Sequence, residues 1–133
     1  MKPEIIELAR HRMDRSRQTC DEARILFESQ KYNGAMNRVY YSMFYAVSAV
    51  LILEGYSSAK HSGTISLFLQ HYVKENRAPE ETGKFLREVF KSRSRGDYDD
   101  YTEFSGEQVK QALNELAGHL SIIEKTILEM IGG

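Results

Sequence analysis

One cysteine, two prolines and almost no net charge set the first limits on this chain of 133 residues. With Cys20 alone, no intrachain disulfide can close and no thiolate zinc site can assemble, which suits a reducing compartment. Pro3 and Pro79 are the only prolines and β-type alternation is scarce, so little interrupts helix formation. A formal net charge of −1 supplies no global field toward nucleic acid or an anionic membrane, so an anionic partner needs a local patch. The most apolar stretch, Val39 to Leu53, is shorter than the roughly twenty residues of a membrane span. The opening residues MKPEIIELAR place a proline and two glutamates where a signal peptide has a basic start and an apolar run. A cytoplasmic protein with no membrane association is the expectation. The phosphate-binding loop, the serine nucleophile elbow and the H-E-x-x-H zinc motif are all missing. His11, His61, His71 and His119 share no ligand spacing, so neither a metal nor a cofactor is expected.

What is present fits a soluble globular chain: 41% of residues are hydrophobic and 28% charged, which disfavours disorder and repeat-built fibres. A chain of this length forms one domain, 1–133, able to bury roughly two-thirds of its unfolded surface. Helical spacing dominates. Ile6, Ala9, Met13, Ser16, Cys20, Ala23 and Phe27 step by threes and fours, which predicts a first helix from Pro3 to about Gln30, with Asn33-Gly34 as the break after it. From Gly34 to Glu54 the second helix is apolar nearly all round, with Ser42 and Ser48 the exceptions after Val39, and belongs at the centre. Gly55 ends it. A third helix is predicted from His61 to Glu75 and a fourth from Pro79, with Phe85, Leu86, Val89 and Phe90 facing inward. The polar run Ser92 to Phe104 reads as a loop. Ser105 and Gln108 form a capping box for a last helix whose Val109, Leu113, Leu116, Leu120, Ile123, Ile127 and Met130 repeat by fours and threes. The expected fold is all-α: an up-and-down antiparallel bundle of four main helices plus a shorter fifth.

Four features could carry chemistry. Arg10, Arg12, Arg15 and Arg17 form a basic run on the first helix, and Arg10, Arg17, Arg24 and Lys31 recur every seven residues. Such a stripe binds phosphates, or is a solvated face paired with Asp14, Asp21 and Glu28. Tyr40, Tyr41 and Tyr45 are core aromatics or stacking surfaces, and the polar pair Asn37-Arg38 stands one turn before them. His61 in AKHSG is either an acid–base or anion-binding group, or a satisfied histidine beside a helix-capping Ser62. The run from Arg93 and Arg95 through Asp97, Tyr98, Asp99, Asp100 and Tyr101 is a functional loop or an ion-paired connector.

Taken together, NRVYYSMFYAVSAVLILEG (Asn37 to Gly55), KHSG (Lys60 to Gly63) and RSRGDYD (Arg93 to Asp99) resemble the HEPN (higher eukaryotes and prokaryotes nucleotide-binding) superfamily, in its branch of small stand-alone prokaryotic proteins. The resemblance runs from about Tyr32 to Ile127. It implies a helical bundle, a homodimer, and a minimal nucleotidyltransferase partner in a toxin–antitoxin-type pair. Many such proteins are metal-independent ribonucleases that use an arginine followed four to six residues later by a histidine. No arginine of this chain is followed by a histidine at that interval. The expectation is therefore a protein that binds nucleotide or RNA phosphate, with Asn37, Arg38, Tyr41, His61, Arg95, Asp97 and Tyr98 around one cleft and Arg93 as a further phosphate-binding candidate. Arg38 and Arg95 would contact phosphate, Tyr41 would stack or donate, and His61 and Asp97 would orient the site. The alternatives are a ribonuclease with a rearranged His61–Arg95 catalytic pair and a non-catalytic structural interaction module.

Overall fold

α1 (Pro3–Glu28) opens with proline in its first turn, where a missing N–H has no consequence, and with Glu4 favourably placed toward the helix dipole. The structure is a computed structural model that describes residues 1–98 and 100–132, apart from the side chains of Asp97 and Tyr98. Ala9, Met13, Ser16, Cys20 and Ala23 are buried along α1 at the expected spacing, joined by Thr19. The helix ends earlier than its glycine signal suggests. Gln30 adopts φ 61°, Lys31 N donates to the Leu26 carbonyl at 2.8 Å, and Gln30 N donates to the Phe27 carbonyl at 3.0 Å. This is a Schellman closure with glutamine in the left-handed position. Asn33 and Gly34 therefore lie in the first turn of α2 (Tyr32–Leu53) rather than in a break. Gly34 matters there for closeness, since an added Cβ would sit 3.4 Å from Leu26 Cδ1.

α2 is the centre of the bundle and packs on α1, α3 (His61–Phe68), α4 (Glu80–Tyr98) and α5 (Gly106–Gly132). Its tightest partner is α1, because the two meet through small residues: Ala9, Ser16 and Ala23 against a helix carrying Ala35, Ser42, Ala46 and Ala49. Ser16 Oγ donates to the Ser42 carbonyl at 2.6 Å, and Ser42 Oγ returns the bond to the Ser16 carbonyl at 2.8 Å. Burial of α2 is not complete all round. Tyr41, Phe44, Tyr45, Ser48 and Ile52 are only half-buried, and their spacing puts them on one open face. Gly55, at φ 80°, closes the helix as predicted.

α3 does not continue as an α-helix to Glu75. A π-helical turn covers Leu69–Val73, with Lys74 N bonded to the Leu69 carbonyl at 2.9 Å. That turn contains the buried Tyr72, whose hydroxyl donates to the Glu54 carboxylate, while Arg77 bonds the same carboxylate at 2.7 Å.

The predicted loop from Ser92 is also corrected: α4 stays helical to Tyr98. Arg93 follows Phe85, Leu86, Val89 and Phe90 at helical spacing, so the inward face continues into an arginine that finds aromatic partners. The capping box of α5 forms as expected, with Gln108 N donating to Ser105 Oγ at 3.1 Å and Ser105 N to Gln108 Oε1 at 2.8 Å. Among the described residues the protein is all-α, an up-and-down bundle of four main helices and a shorter fifth, and no helix is long and apolar enough to cross a membrane.

Candidate functional site

The open face of α2 meets the start of α3 and the last turns of α4, and the three elements build one cluster of rings and guanidiniums. Tyr40 is fully buried, so its hydroxyl must find a partner: it lies 2.8 Å from Nδ1 of His61. His61 stacks on Phe44, with ring centroids 4.2 Å apart, and stands edge-on to Tyr41 at 5.8 Å. Arg93 comes in from α4, its guanidinium carbon 5.7 Å from the Tyr40 ring centre and 5.9 Å from that of Tyr41. Nη2 of Arg93 donates to the Tyr41 hydroxyl at 3.4 Å. Arg38, one turn before Tyr41, holds its own guanidinium carbon 4.9 Å from that ring. Asn37 steers it, its Oδ1 accepting from Arg38 Nε at 3.1 Å and Nη2 at 2.8 Å, and Glu22 lies 3.7 Å away. Two arginines thus approach one tyrosine, with a histidine beside it.

His61 reaches this position through a tight entry to α3. Lys60 is extended at the N-cap, and no side chain caps the helix, so Ser62 does not play that part. Ser58 Oγ accepts from Lys60 N at 3.2 Å instead. Gly63 makes room for it, since a Cβ there would lie 2.1 Å from Ser58 Oγ.

Burial, then the charge of Arg93, hold the imidazole of His61 below its ordinary pKa. Burial pushes the Tyr40 phenol upward. At neutral pH both groups are therefore uncharged, and Tyr40, with no other partner among the described residues, donates to Nδ1. The remaining proton of His61 is on Nε2, so the imidazole presents a donor. His119 is likewise held down by burial, against the upward pull of Glu115 and Glu81; it sits 2.9 Å from Thr82 Oγ1. Because both folded pKa values lie below the unfolded value, the unfolded chain binds more protons in that window. Their stabilising share is complete above the unfolded pKa and is lost as pH falls through the folded values. Melting temperature is expected to drop between about pH 7.5 and 5.5, and to drop less steeply in His61→Gln; an equal slope would refute the assignment to His61.

Of the residues expected in one cleft, Asn37, Arg38, Tyr41 and His61 come together, and Arg93, the further phosphate-binding candidate, joins them. Arg95 does not join them within the chain: two residues beyond Arg93 it is about 200° further round α4, and it is exposed. The side chains of Asp97 and Tyr98 lie outside the described residues. Tyr40, Phe44 and Phe90 belong to the cluster as well, Phe90 lying 5.8 Å from Tyr40. Their signal was weak, because apolar rings at helical spacing read as core. Asn37 and Arg38 lie beyond the first turn of α2, which starts at Tyr32, so the helix dipole adds little to their hold on an anion. The heptad stripe of α1 is partly ion-paired, Arg17 to Glu124 at 2.7 Å and Arg24 to Asp21 at 3.6 Å. No group of three or more His, Cys, Asp or Glu side chains among the described residues is arranged to hold a metal. The chemistry on offer is that of an anion site: planar cations, a neutral donor imidazole and stacking faces.

Comparison with known proteins agrees in length as well as kind. A profile of the HEPN domain matches residues 9–125. A "UPF0332 protein" of Thermotoga maritima is 39% identical over 129 residues, covering 97% of this chain and 96% of that one. A Methanocaldococcus jannaschii protein named "Putative toxin" is 30% identical over 125 residues, 90% of this chain and 84% of its own. A "UPF0332 protein" of Gloeobacter violaceus is 39% identical over 101 residues, 76% of this chain and 80% of that one.

Proposed function

This chain belongs to the HEPN domain family, and from that premise we propose that its Arg93–Tyr41–Arg38 cluster binds nucleotide or RNA phosphate. The observation that carries the reading is the approach of two guanidiniums to one tyrosine face beside a neutral histidine. Arg93 and Arg38 contact phosphate oxygens, His61 donates through Nε2, and Tyr41 stacks or donates. The protein works as a homodimer with a minimal nucleotidyltransferase partner, in a toxin–antitoxin-type pair. The family likeness and the names of the Methanocaldococcus relatives support that part of the reading.

A second reading, a metal-independent ribonuclease, draws support from the placement of His61 and Arg93 beside the same two rings, Tyr40 and Tyr41. In that reading Arg93 stands where Arg95 was expected. Binding is favoured over cleavage because no arginine of this chain is followed four to six residues later by a histidine.

Incubating the protein with a mixed tRNA and mRNA pool in EDTA, alongside Arg93→Ala, Arg95→Ala and His61→Ala, separates the two. The expected result is RNA retained on the wild-type protein without cleavage above the background of the variants. Cleavage that disappears in both Arg93→Ala and His61→Ala would establish the ribonuclease.

A further inference from the structure

Beside the Arg93 centre, on the other side of Phe44, lies a second recess. It is a cleft of about 310 Å³ between α1, α2 and the connection from α2 to α3. That volume is at the lower end of the small-ligand range. Its walls include Arg12, Arg15, Tyr45, Tyr56, Ser57 and Ser58, and none of its lining residues is a carboxylate.

The two arginines differ from others on the surface. Arg17, Arg24, Arg38 and Arg77 each pair with a carboxylate, whereas Arg12 and Arg15 form no ion pair among the described residues. They turn toward α2 instead. Arg15 holds its guanidinium carbon 4.9 Å from the Tyr45 ring centre and donates to the Tyr45 hydroxyl at 3.0 Å. Arg12 donates to the Ser48 carbonyl at 3.3 Å. The cleft also neighbours the first centre through a ring contact. Tyr45 lies one turn after Tyr41, with ring centroids 6.1 Å apart, and Tyr41 is the ring that Arg93 and Arg38 approach. Two rings, Tyr41 and Tyr45, therefore stand between two guanidiniums, Arg93 and Arg15, along the open face of α2.

Adjacent rings flanked by guanidiniums suit a single strand: the guanidiniums follow the phosphates while the rings receive unstacked bases, without reading their identity. We infer that the cleft at Arg12, Arg15 and Tyr45 is a subsite for the nucleotide flanking the phosphate held at Arg93, so that the ligand is single-stranded RNA crossing the α2 face. This rests on the phosphate-binding reading of the Arg93 cluster and extends it by one nucleotide.

A fluorescein-labelled short oligouridylate, followed by anisotropy over a range of salt, tests it. Arg15 is exposed and Arg12 half-buried at the surface, so Arg12→Gln/Arg15→Gln leaves the core intact. The double variant is expected to bind about ten-fold more weakly and to lose about 0.7 from the salt slope for each phosphate contact removed. Tyr45→Ala should weaken binding several-fold, and Tyr45→Phe, which keeps the ring, should retain it. Wild-type affinity and slope in the double variant would overturn the subsite; if Arg93→Ala still abolished binding, the first centre would stand alone. Binding lost in the double variant but kept in Arg93→Ala would support the cleft as an RNA site and overturn the Arg93 reading. A wild-type protein that binds no oligouridylate overturns both.

Discussion

Arg93→Ala is expected to remove most of the affinity for nucleotide or RNA while the bundle stays folded. A charge-assisted hydrogen bond to a phosphate oxygen contributes about 1.5 to 3 kcal/mol. The Arg93 guanidinium also lies 5.7 and 5.9 Å from two tyrosine ring centres, and losing that pre-positioning adds to the deficit. A total of about 2 to 3 kcal/mol corresponds to roughly 30- to 150-fold in dissociation constant. Arg93→Lys should fall between wild type and Arg93→Ala, because an ammonium keeps the charge and loses the planar fork that meets both ring and phosphate. Arg95→Ala is the informative contrast. It removes an equal charge from the same helix, but on the far side from Tyr41, so its effect should be confined to a modest change in salt dependence. The measurement is a binding isotherm for all three variants beside their thermal melts. Lowered stability in Arg93→Ala with unaltered binding would make the cluster a structural tie between α2, α3 and α4, and would favour the interaction-module reading.

The largest effect on folding is expected at Ser42, on the buried side of α2. Ser16 and Ser42 exchange side-chain bonds to each other's backbone carbonyls at 2.6 and 2.8 Å, and both are fully buried where α1 and α2 run closest. Ser42→Ala removes one of those bonds and should cost about 1 kcal/mol. Ser42→Leu removes it and also inserts three carbons into an interface lined by small residues, where overpacking costs about 1 to 3 kcal/mol more. A combined loss of about 2 to 4 kcal/mol is a large part of the total stability of a typical domain, about 5 to 15 kcal/mol. Urea titration of the two variants checks it. A Ser42→Leu midpoint no lower than that of Ser42→Ala would show that α1 and α2 separate without penalty.

Helix periodicity carried most of the architecture. The four-three repeat of α5 and its capping box are local patterns, and the structure reproduces them because a neighbour three or four residues away is on the same face whatever surrounds it. Reasoning from composition failed where tertiary partners overruled it. The polar segment after Ser92 reads as loop, yet Arg93 extends the inward face of α4 because Tyr40 and Tyr41 wait for it on α2. The glycine at position 34 reads as a break, yet the turn closes four residues earlier through Gln30 in a left-handed conformation.

The candidate site divides in the same way. Asn37, Arg38, Tyr41, His61 and Arg93 could be named from residue type and from family resemblance, because unusual polar groups beside an apolar helix and a polar run are visible one residue at a time. Choosing Arg93 over Arg95 required the helical phase of α4 relative to α2, which depends on contacts more than fifty positions apart in the chain. The open face of α2 and the turn of Arg12 and Arg15 toward Tyr45 were hidden for the same reason. A sequence by itself determines which residues can share a face, since that follows from backbone geometry. Only the packed bundle decides which face meets which, because that depends on the sum of many weak contacts between distant segments.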